Sequence, residues 1–171
     1  MDDYNAVKIT DYCPRAAPFD SYLKGRELVG VEVGVDVGAH AEALLTYGPV
    51  AMLHLIDPWP KDYFRGYCDG RLSRFRGRYR LWPGTSMECV KGFFADTLDF
   101  VYIDQEHDAE SVAADLRAWW PLLKSGGVLG LRNYTARDTP LDRAVDAFVG
   151  GSRAAEITRH VESAEIVLVK A

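Results

Sequence analysis

Five short apolar runs, separated by segments of helical pattern, constrain this chain more than any other feature. They lie at residues 28–33, 50–56, 79–82, 98–103 and 128–131, the third being the weakest. Runs such as VAMLHLI and LDFVYI are nearly continuous rather than alternating. A strand needs apolar side chains on both sides only if both faces of its sheet are covered. The intervening segments repeat apolar residues at helical spacing. Residues 39–47 carry Ala41, Leu44 and Leu45 before Gly48-Pro49, a stop signal. Residues 109–123 carry Val112, Ala113, Leu116, Trp119, Trp120 and Leu123, followed by a Gly126-Gly127 turn. Residues 141–149 carry Leu141, Ala144, Val145, Phe148 and Val149. This alternation predicts a doubly wound, Rossmann-like α/β sheet.

The tail breaks the pattern. Residues 156–161 and 165–170 read as strands with only three residues between them. Parallel neighbours need a crossover of a dozen residues or more, so these two form a hairpin. The expected sheet is mostly parallel, with one antiparallel C-terminal hairpin strand. A length of 171 residues suits one domain over residues 1–171, with residues 1–26 as a short N-terminal extension. No apolar run approaches the ~18 residues of a membrane span, and MDDYNAVKITDYCPR has no signal-peptide core. Cys13, Cys68 and Cys89 are odd in number and lack metal-site spacing. They fit a reduced, cytoplasmic protein.

In a doubly wound sheet, ligands bind beyond the carboxyl ends of the strands. The first such loop is Gly34-Val35-Asp36-Val37-Gly38, preceded by Glu32. Glycine admits close approach of a ligand to the backbone. A dinucleotide site would seat a pyrophosphate here, and Asp36 would repel it. No P-loop lysine follows. The loop therefore fits a nucleotide-like ligand without phosphates, the plainer alternative being a tight turn with no ligand. Glu32 can accept hydrogen bonds from loop amides or from a ligand ammonium. In LIDPWP, Asp57 ends the second strand. A strand-terminal acid roughly 20 residues beyond the first loop is placed to hold ribose hydroxyls. It can also serve simply as a helix-capping aspartate. Trp59 reads either as core or as a cover for an adenine.

Taken together, VEVGVDVG, LIDPW, GTSMECV, LDFVYIDQEHDAESVAADLRAWWPLLKSGGVLGLRNY and the AVDAF helix resemble the class I S-adenosylmethionine-dependent methyltransferases. The likeness is to a small bacterial group with a DFVYIDxxH-type signature, methyltransferase domain family 24. It covers about residues 28–149. By this resemblance Glu32, Gly34 and Gly38 cradle the methionine part of S-adenosylmethionine. Asp57 holds the ribose, Thr85 and Ser86 lie beside the adenine, and Asp104 borders the cofactor. A phosphate-free sulfonium suits the acidic loop.

Asp104 and His107 follow the fourth strand. Methyl transfer to a hydroxyl needs a proton acceptor and in-line positioning. His107 is the expected base, with Asp104 orienting its neighbours; the plainer alternative for His107 is a cap or packing role on the next helix. His40 reads as structural or cofactor-adjacent, and His54 as core. Metal-dependent O-methyltransferases of this fold add an acidic pair or Asp-Asn after strand five. Here LRNY offers Asn133 but places Arg132 where a carboxylate ligand would stand. A divalent metal is therefore left open. Arg132 could pair with an anionic acceptor or with Asp104, the plainer alternative being a surface ion pair.

The expected acceptor is a hydroxyl of a small molecule or glycan. The acceptor site is either open or completed by a second copy in a homodimer. A protein that kept the cofactor pocket but lost catalysis is the second reading, and a nicotinamide-dependent oxidoreductase the third. A net charge of −5 argues against general nucleic-acid affinity. The one local exception is RGYCDGRLSRFRGRYR, residues 65–80. It reads as a solvated helix face and connection; the sharper alternative is a patch for an anionic acceptor or partner, RNA included.

Overall fold

The computed structural model describes residues 22–23, 27–105, 108–132, 139–151, 154–160 and 164–171. His107, Asn133, Cys13 and nearly all of the N-terminal extension lie outside the described residues. Seven strands form one sheet: β1 (Leu28–Val33), β2 (Val50–Asp57), β3 (Tyr79–Pro83), β4 (Leu98–Ile103), β5 (Leu123–Arg132), β6 (Ala154–His160) and β7 (Glu165–Lys170). Their order is β3-β2-β1-β4-β5-β7-β6. The first five pair in parallel, and β7 runs antiparallel to both neighbours. This is the doubly wound sheet with a reversed hairpin strand that the sequence predicts. The order turns between β1 and β4, so the ligand crevice belongs at their carboxyl ends.

Helices α1 (Ala39–Tyr47), α2 (Asp62–Leu72), α3 (Ser86–Cys89), α4 (Ala109–Trp119) and α5 (Pro140–Gly151) fill the connections. Alternate strand residues feed two cores. Val33, Val101, Ile103, Leu131 and Leu168 pack with Leu116 and Trp119 of α4 and Val145 of α5. Leu53, Leu55, Phe100, Tyr102 and Val167 pack with Leu44 and Leu45 of α1 and Cys68 and Leu72 of α2. Burying each large apolar side chain contributes roughly 1.5–3 kcal/mol, so both faces must be apolar and the strand sequences run without alternation. Gly30 belongs to this packing: a Cβ there would lie 2.1 Å from Cζ of Phe100, whose ring fills the space.

Most boundaries fall within two residues of the sequence expectation, and two differ by more. The helical pattern runs on to Leu123, but α4 stops at Trp119 and tightens into a 3₁₀ turn over Trp120–Leu122. Pro121 has no N–H to continue the helix. The fifth strand begins at Leu123 rather than Val128, because Leu98 pairs with Leu123 while Phe100 pairs with Val128. The Gly126-Gly127 turn is thus a bulge inside β5, with Gly126 at φ 76°.

Candidate active site

The loop after β1 is shaped by close approach of two strand ends. Gly34 has φ 86°, and a Cβ there would lie 2.3 Å from the carbonyl oxygen of Asp104. The Asp104 amide donates to the Val33 carbonyl at 2.8 Å, which fixes that approach. Gly38 has φ 77°, and its missing Cβ would meet Cys68 Sγ at 2.8 Å. Both loop glycines are therefore required by their surroundings.

Asp57, at the end of β2, organises the same loop. Its Oδ2 accepts the amides of Val35 and Asp36, both at 3.0 Å. Its Oδ1 accepts the amide of Trp59 at 2.6 Å. The Trp59 indole is buried and donates to the Asp36 carbonyl at 2.8 Å. Asp57 and Trp59 together clamp the loop against β2.

A cavity of about 430 Å³ opens at this edge. Glu32, Gly34, Asp36, Asp57, Asp104 and Arg132 line it, with His40 and Gln105. Its size suits a cofactor-sized ligand. Glu32 is 1% exposed, and its Oε1 lies 3.5 Å from Nδ1 of His40. Glu32 Oε2 has no hydrogen-bond partner among the described residues. Burial pushes the Glu32 carboxyl above its ordinary range, opposed by His40. Asp36 is also raised, by partial burial and by the neighbouring Asp57 carboxylate.

Beneath the cavity runs a buried polar row. The His40 ring lies 4.3 Å from that of Tyr102, whose hydroxyl donates to Glu165 Oε1 at 2.8 Å. Burial, with Glu165 adding to it, raises the Tyr102 phenol well above its usual value. Glu32 and Tyr102 are register partners on β1 and β4, which brings the row together. Next to this row, Arg132, the register partner of Glu165, donates from Nη1 to Asp104 Oδ2 at 2.5 Å.

Thr85 and Ser86 are not among the cavity-lining residues. Thr85 caps α3 through a capping box with Glu88. The buried Ser86 hydroxyl donates to Asp115 Oδ1 at 2.5 Å and accepts from the Trp119 indole at 2.8 Å. Asp115 Oδ2 accepts from Gln105 Nε2 at 3.2 Å, so this network reaches the cavity wall. Asp115 did have a sequence signal: it sits three residues after Val112 and four before Trp119, on the apolar face of its helix. The Tyr102–Glu165 pair had none. His54, expected in the core, is only partly buried, and its Nδ1 accepts the Trp82 indole at 3.0 Å. Its burial, with Arg80 nearby, lowers its pKa and favours the neutral ring.

The site fits S-adenosylmethionine on its own chemistry. A buried carboxylate oxygen without a partner among the described residues suits a cationic group. Divalent metal fits less well, because the guanidinium of Arg132 already holds Asp104. Among the described residues, no group of three potential ligands converges on a metal position.

Fold and site together define a class I S-adenosylmethionine-dependent methyltransferase. The model of the methyltransferase domain family 24 matches residues 29–134, and the chain belongs to that family. No curated protein matches it. Among solved structures, a Corynebacterium glutamicum protein is 18% identical with a TM-score of 0.71, over 95% of this chain and 89% of that one. A Thermotoga maritima protein described as an S-adenosylmethionine-dependent O-methyltransferase is 13% identical with a TM-score of 0.70, over 99% of this chain and 69% of that one. The Haemonchus contortus phosphoethanolamine N-methyltransferase 1, in complex with phosphoethanolamine and S-adenosylhomocysteine, is 18% identical with a TM-score of 0.57, over 72% of this chain and 26% of that one. At these identities the likeness is one of fold. Among the described residues, no helix is long and apolar enough to cross a membrane.

Proposed function

We propose that this methyltransferase acts at oxygen, on a hydroxyl of a small molecule or glycan, with His107 accepting the proton. The observation that carries the reading is the Glu32 carboxylate, buried at the cavity wall with one oxygen lacking a partner among the described residues. S-adenosylmethionine supplies an electrophilic methyl group on a positively charged sulfur. Glu32 would hold the cationic methionine part, beside Gly34 at the cavity wall and with Gly38 closing the same loop against Cys68. Asp57 would serve the ribose while its amide bonds keep the loop closed. Thr85 and Ser86 would border the adenine through the start of α3. Asp104 would border the cofactor and, through its pair with Arg132, fix the wall facing the acceptor.

His107 is two residues from Gln105, which lines the cavity. An imidazole can hold a hydroxyl proton near neutral pH as the oxygen attacks, which is the role proposed for His107. Attack at oxygen is also in keeping with the description of the Thermotoga maritima protein. The test is calorimetry followed by transfer from methyl-labelled donor to hydroxyl and amine acceptors. Binding of S-adenosylhomocysteine but not NAD, hydroxyl labelling, and a 10²–10⁴-fold loss of turnover in His107→Ala are expected. Labelling of amines alone, or full turnover in His107→Ala, would overturn the reading.

A further inference from the structure

The segment between β2 and β3 is basic in an acidic chain. Residues 58–78 hold one lysine and five arginines against two aspartates, while the whole chain carries −5. Surface ion pairs absorb part of this charge: Arg65 with Asp62, Arg76 with Asp69, and Arg71 and Arg74 with the single carboxylate of Glu42. Three carboxylates thus serve four arginines, and Lys61 forms no ion pair among the described residues.

The outer face of α2 adds aromatic surface to this charge. Tyr63 is 49% exposed and Tyr67 43% exposed, their ring centroids 6.2 Å apart and nearly perpendicular. Tyr63, Tyr67 and Arg71 follow one another at four-residue steps, so they share a helix face. Lys61 sits over the Tyr63 ring, and Arg74 over Phe75. Between Tyr67 and Arg71 lies an open slot of about 340 Å³, bounded by Glu42 and floored by Gly66 and Gly70. Nothing lies within 4 Å of where a Cβ would stand on either glycine. Internal packing therefore does not require them.

We infer that this face binds single-stranded nucleic acid, with a base stacked on Tyr67 in the slot and phosphates held by Lys61, Arg65, Arg74 and Arg76. Cations interleaved with exposed rings are the surface such strands need, since every base offers a face for stacking and every nucleotide a charge. An acidic protein segment would use the arginines but leave the rings and the slot without purpose. The face begins at the rim of the cofactor cavity, where Pro58 lines the wall just before α2. It does not depend on the methyl-transfer reading.

The test is fluorescence anisotropy with the full chain and fluorescein-labelled twelve-nucleotide single strands of RNA and of DNA. The same sequence as a duplex and polyglutamate serve as further probes. Single strands should bind at 50 mM salt and weaken roughly twentyfold at 200 mM if about three phosphates are neutralised. Tyr67→Ala should weaken binding at least fivefold. Gly66→Ala with Gly70→Ala should also weaken it at least fivefold while leaving the melting temperature equal or higher, because alanine is the better helix former. The stronger of the RNA and DNA arms identifies the source of the strand. Absence of binding at 50 mM salt, duplex or polyglutamate binding as tightly, or unchanged affinity in the tyrosine and glycine variants would overturn the inference.

Discussion

Glu32→Gln separates a ligand-holding carboxylate from a structural one. The change keeps shape and removes charge from a side chain that is 1% exposed. If Glu32 Oε2 receives a charged donor of the cofactor, losing that bond costs about 1.5–3 kcal/mol. Affinity for S-adenosylhomocysteine should then fall about 10- to 150-fold. Stability should move the other way. Burial raises the Glu32 pKa from its ordinary 4.5, so the folded chain holds this proton more firmly than the unfolded one. That contribution is fullest below pH 4.5 and is lost as pH rises through the folded value. Glutamine does not titrate. The melting temperature of Glu32→Gln relative to the parent should therefore increase between pH 4 and pH 8. Calorimetry and thermal unfolding on the same samples read both quantities. Unchanged affinity together with a lower melting temperature at pH 8 would refute the reasoning and make Glu32 a structural partner of His40.

The other predictions concern neighbours of that carboxylate. Gly34→Ala places a Cβ 2.3 Å from a backbone oxygen at φ 86°. No rotamer relieves this, so a loss of about 3 kcal/mol, or about 6–12 °C in melting temperature, is expected with weakened cofactor binding. Tyr102→Phe removes the hydroxyl that donates to buried Glu165; a loss of about 2 kcal/mol, or about 4–8 °C, should appear on thermal unfolding. Because Arg132 holds Asp104, millimolar magnesium should leave the parent's melting temperature unchanged, and a magnesium-dependent rise in the parent would count against the pair as a substitute for a cation.

The central strands were legible because they bury both faces, which leaves a run of apolar residues that a sequence scan can find, while the weak third run is the partly buried β3. The hairpin was legible because three residues cannot cross a sheet. Ends of elements were harder: the Pro121 turn and the bulge at Gly126 depend on what β5 meets when it pairs with β4. At the site, the glycine loop and Asp57 stood out as residues a plain strand does not need. That Asp57 also holds the loop amides of Val35 and Asp36 could not be read, because those N–H groups reach it only after β1 and β2 pair in register. Ser86, Asp115 and Gln105 are far apart in sequence and meet through α4 packing. Glu165 looks like an ordinary strand-end acid until β7 inserts it beside Tyr102.

The cavity's charge decides which ligands it tolerates. Four carboxylates and one guanidinium line it. Asp57 is occupied by three backbone amides and Asp104 by Arg132. Glu32 and Asp36 remain, and both are raised, each chiefly by burial. A raised carboxyl is one whose negative form lacks compensation, so the empty wall favours whatever brings positive charge. A pyrophosphate would add negative charge beside two groups already short of it. A sulfonium with an ammonium does the reverse, and its binding lowers both carboxyls toward their ordinary range. The aspartate in the loop thus excludes phosphate and attracts a cation by the same physical cause, and the choice between a dinucleotide and S-adenosylmethionine follows from it.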